Sequence, residues 1–139
     1  MVEAFSIRGL GLLASSWEAN PPFINDSAFG QAIRRYREAM VDRYRASQDP
    51  AGPIAAWFAA KRTYLESPIA HIEGPAVVAI LGLIESDAAC IEDYGAVNRW
   101  PQRSGLKIED YLTAWQASCV EVGAPGVMPA RVRALFGVG

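Results

Sequence analysis

The stretch VVAILGLIESDAACIEDY, residues 77–94, decides the fold class. Read only as far as Ile84 it is an apolar run that passes for a buried strand. Its continuation is rich in alanine and acidic residues, and the whole exceeds strand length. At 100° per residue, Ile80, Leu83, Ile84, Ile91 and Tyr94 gather on one face. The stretch therefore reads as one long buried helix, and the chain as all-α. Asp87 falls among those apolar side chains, and the preceding pattern has a counterpart. Over 54–65 a second helical face collects Ile54, Trp57, Phe58, Tyr64 and Leu65, with Lys61 in its middle. A charge facing a core is costly unless paired or neutralised, so Lys61 and Asp87 are expected as each other's partners in a buried polar pair.

Outward from these two segments the remaining elements fall into place. Phe29, Ile33, Tyr36, Met40 and Tyr44 recur at helical steps, the strongest periodicity in the chain, with Ser27 as the expected N-cap. Asp49-Pro50 reads as the cap and first turn of the next helix, and Ser67-Pro68 ends it. After a loop over 95–105, residues 106–122 place Ile108, Tyr111, Leu112, Trp115, Cys119 and Val122 on one face. Residues 123–127 form a turn, and Pro129 opens a short last helix through Val132, Leu135 and Phe136. Residues 1–17 resolve into neither a clean helical nor an alternating period. The expectation is a compact single domain over 1–139, a bundle of five to six helices and not a simple up-down four-helix bundle.

Composition narrows the function classes. With 139 residues, 51% apolar and 20% charged, the chain is globular and long enough to bury a core. Thirteen basic against fifteen acidic residues leave a net charge of −2, too balanced for bulk attraction to nucleic acid. No apolar run reaches the roughly 18–20 residues of a membrane span. Residues 1–17 carry Glu3 and Arg8 and make a poor signal peptide, so the expected place is the cytoplasm. Frequent alanine and arginine suggest a bacterial source. Cys90 and Cys119 have no metal-ligand spacing and read as reduced core thiols, with a single bridge between them left open.

The candidate chemistry is sparse. His71, the one histidine, sits on a short connector near Glu73 and lacks the further members that a triad or a metal site needs. Glu85, Glu92 and Asp93 read as a solvated helix face. Arg34, Arg35, Arg37, Arg43 and Arg45 offer a basic helix, but Arg34–Glu38 and Arg45–Asp49 have intrahelical pairing distance, and the tyrosines fall on the apolar face. Gly9 and Gly11 do not make a phosphate loop. No cofactor or metal is implied. The apolar ends of the chain, with Trp17 and Phe136, suit packing on the chain's own core or on another subunit. The loop residues Arg99, Trp100 and Arg103 have the character of interface anchors.

Together these readings favour a small helical protein that works by binding protein, another chain or itself: an accessory subunit, an assembly chaperone or a toxin-neutralising partner. The alternative is a small-ligand site or enzyme using Lys61 and Asp87 as a polar centre, walled by Trp57, Tyr64 and Tyr94. The third is nucleic-acid binding through the helix over 34–45.

Overall fold

The computed structural model describes residues 1–24, 26, 28–47, 52–97 and 106–139. They form seven α-helices and no strand: α1 (Val2–Ala19), α2 (Phe29–Ala46), α3 (Ile54–Leu65), α4 (Gly74–Ser86), α5 (Ala89–Val97), α6 (Ile108–Val122) and α7 (Val127–Phe136). The all-α expectation holds, with more helices than the five or six expected. Two causes account for the difference. The unresolved N-terminal stretch is a full helix, α1. The long helix over 77–94 is broken at Asp87, whose Oδ1 accepts the Ala89 N–H at 2.9 Å and so starts α5 afresh. An aspartate bonding its own backbone two residues on competes with helix continuation. The expected caps Ser27 and Asp49 lie outside the described residues.

The chain divides into two compact units, Met1–Gln48 with Glu73–Leu81, and Asp49–Ile72 with Gly82–Gly139. In the first, α1 and α2 form an antiparallel hairpin. The Tyr44 hydroxyl donates to Glu3 at 2.8 Å, the Arg37 Nε to the Ile7 carbonyl at 3.2 Å, and the Arg34 Nε to Glu18 at 2.8 Å. Trp17 stacks on Phe29 near the hairpin's turn, ring centroids 5.1 Å apart. Ala4, Ile7 and Ala14 are wholly buried along this seam. Small residues there let the backbones approach. A Cβ on Gly30 would lie 2.7 Å from the Glu18 backbone nitrogen and 3.0 Å from the Ala14 carbonyl oxygen. The first turn of α4 abuts the end of α2, since a Cβ on Gly74 would lie 2.6 Å from the Tyr44 carbonyl oxygen.

The second unit is built on α6. Leu112, Trp115 and Cys119 are buried, as their spacing predicts, whereas Val122 is exposed. Gly123 ends α6 in the left-handed conformation (φ 70°), with the Ala124 N–H returning to the Cys119 carbonyl at 2.9 Å. Glycine takes this conformation without a Cβ penalty. Gly126 (φ 72°) starts α7, and Pro129 falls in its first turn, where a missing N–H costs little. Phe136 packs on Phe58 of α3, centroids 4.8 Å apart, and is only 7% exposed. It therefore serves the core of this unit and is not an exposed interface residue.

Candidate functional site

Three polar clusters organise the second unit. The innermost centres on Asp93 of α5. The sequence places this residue on a solvated face with Glu85 and Glu92. Those two are exposed, but Asp93 is wholly buried. Its Oδ1 accepts the Gly126 N–H at 2.8 Å and its Oδ2 the Met128 N–H at 2.7 Å. Gly126 has no side chain with which to cap α7, and a carboxylate from another helix satisfies those first amides instead. The Asp93 backbone carbonyl accepts the Trp115 indole N–H at 2.7 Å. The Cys119 thiol neighbours the same carboxylate. Burial first, and the neighbouring Asp93 charge second, push that thiol up to about 11. Burial likewise raises Cys90 and Tyr94. Both cysteines are free and buried. This is a structural centre, because every feature of it works to hold α5, α6 and α7 together.

The other two clusters are half-exposed. Arg62 donates from Nε to Glu66 at 2.9 Å and bonds Glu109 of α6 through its terminal nitrogen. Glu66 also accepts the Ile108 N–H at 3.0 Å, anchoring the start of α6. The Arg62 hydrogen bond holds Glu109 below the usual carboxylate range. Asp87 takes the Arg131 guanidinium at 2.6 Å while capping α5.

These contacts correct the expected buried polar pair. Lys61 is exposed, its ammonium 5.8 Å from the centroid of the Trp57 ring, and Asp87 is half-buried beside Arg131. Phe58 is the buried residue of α3, while Ile54, Ala55, Trp57, Arg62, Tyr64 and Leu65 are half-buried. The apolar members of the expected face are thus buried or half-buried, and Lys61 is the member that is exposed. Arg62 is half-buried and paired with the carboxylates of Glu66 and Glu109.

In α2 the packed face differs from the expected apolar one. Its seam with α1 runs through Gly30, Arg34, Arg37 and Val41, so Tyr36 is 57% exposed and not hidden in a core face. Of the expected basic row, Arg34 and Arg37 are engaged by α1, and Arg45 faces Asp42 at 3.7 Å. His71 is exposed on its connector, its backbone N–H donating to the Tyr64 hydroxyl at 3.0 Å. No group of three His, Cys, Asp or Glu placed to hold a metal occurs among the described residues. Nor is any described helix long and apolar enough to cross a membrane.

The interface residues expected at Arg99, Trp100 and Arg103 lie outside the described residues. Trp17 is half-buried against Phe29. A surface the sequence did not single out is instead plain on α1. Opposite the seam that meets α2, Val2 (79% exposed), Phe5 (43%), Leu12 (57%) and Leu13 form an apolar stripe, with Gly9 and Ser16 along it. Both long faces of α1 are thus apolar, which is why its period was unreadable: a helix hydrophobic on opposite sides has little amphipathic signal.

Compared with protein-family models, with curated proteins and with solved structures, the chain finds no match.

Proposed function

We propose that this protein works by binding protein through the outer face of α1, as an accessory subunit, an assembly chaperone or a neutralising partner. The observation that carries this reading is the exposed stripe of Val2, Phe5, Leu12 and Leu13 on a helix whose opposite face is already packed. The polar clusters support it by elimination of rivals within the described residues. Asp93 is sealed and committed to backbone amides, and Asp87 is committed to Arg131 and Ala89. The alternative polar centre loses its main support with Lys61 exposed.

The test is affinity capture with the tagged chain from cells that make it, run beside a Leu12→Arg variant. Leu12 is over half exposed, so arginine there leaves the fold intact and places a charge on the stripe. The expected result is a stoichiometric protein, or untagged chain, that is retained by the wild type and lost by the variant. Equal recovery by both would place binding elsewhere and overturn the assignment to α1.

A further inference from the structure

We draw no further inference here: the strongest candidate, the exposed apolar stripe of Val2, Leu12 and Leu13 on the outer face of α1, belongs to the surface already proposed to bind protein, and nothing in the structure shows what covers it.

Discussion

Replacing Asp93 by alanine would leave the Gly126 and Met128 amides and the Cys119 thiol facing a dry cavity. Unmet buried donors of this kind cost about 1–3 kcal/mol each, more where the lost partner is charged. Asp93→Ala is therefore expected to lower unfolding free energy by about 3 kcal/mol or more, read from urea denaturation. Asp93→Asn keeps one carbonyl acceptor and should lose less. An exposed carboxylate changed in the same helix, Glu92→Ala, should move stability by no more than about 0.5 kcal/mol. Nothing local in the sequence separates Glu92 from Asp93. The partners of Asp93 lie 33 and 35 residues away, and only the absence of a capping side chain at Gly126 hints that an acceptor must come from elsewhere. Lys61 shows the same limit from the other side. Its wheel position is legible, but Lys61 is exposed while the neighbouring Arg62 pairs with Glu109 of α6, 47 residues away, a contact that no local pattern announces.

At the scale of elements, the two glycines of the hairpin make opposite predictions. Gly30→Ala puts a Cβ 2.7 Å from a backbone nitrogen that cannot step aside, so the helices must separate, at a cost of about 1–3 kcal/mol by analogy with overpacked cores. Gly9→Ala adds its methyl to open space and should stabilise α1 by up to about 1 kcal/mol. Thermal unfolding of both variants at low concentration checks the pair: Tm should fall for Gly30→Ala and rise for Gly9→Ala. Equal shifts would mean that α1 does not lie on α2 as described. Helices with one apolar face were legible beforehand: α6 with Leu112, Trp115 and Cys119 is buried where its spacing puts it. The elements that resisted were those whose local signals conflict. α1 has two apolar faces, and α4 and α5 share a continuous hydrophobic pattern that the Asp87 turn interrupts. The apolar N-terminus is expected from its sequence to pack on the chain's own core or on another subunit, and its inner face does the first.

Across the whole chain, the ionisable groups that folding perturbs predict a bounded pH range of stability. Glu18 in the first unit and Glu109 in the second are held below the usual carboxylate range, chiefly by hydrogen bonds from Arg34 and Arg62. Folding therefore favours their ionised forms. What they contribute is present above the unfolded value near ~4.3 and is lost as pH falls through the lowered folded values. Both pairs are near the surface and solvent-screened, so the acid limb should be shallow and should weaken further in salt. The alkaline limb has the opposite origin. Burial raises Cys119 to about 11 and raises Cys90, Tyr94 and Tyr44 as well. The neutral forms are favoured in the fold, so their contribution is complete below the unfolded values, near ~8.5 for thiols and ~10 for tyrosine. It is lost as pH rises through the raised folded values. Urea titrations from pH 3 to 11 should thus show a plateau between roughly pH 5 and 8 with a steeper fall on the alkaline side. Glu109→Gln should make the acid limb shallower and leave the alkaline one unchanged, whereas Cys119→Ala should make the alkaline limb shallower, with Cys90 still contributing to its onset, and leave the acid one. An alkaline limb as steep in Cys119→Ala as in wild type would show that the thiol beside Asp93 is not sealed from solvent, and the capping centre that joins α5, α6 and α7 would have to be open.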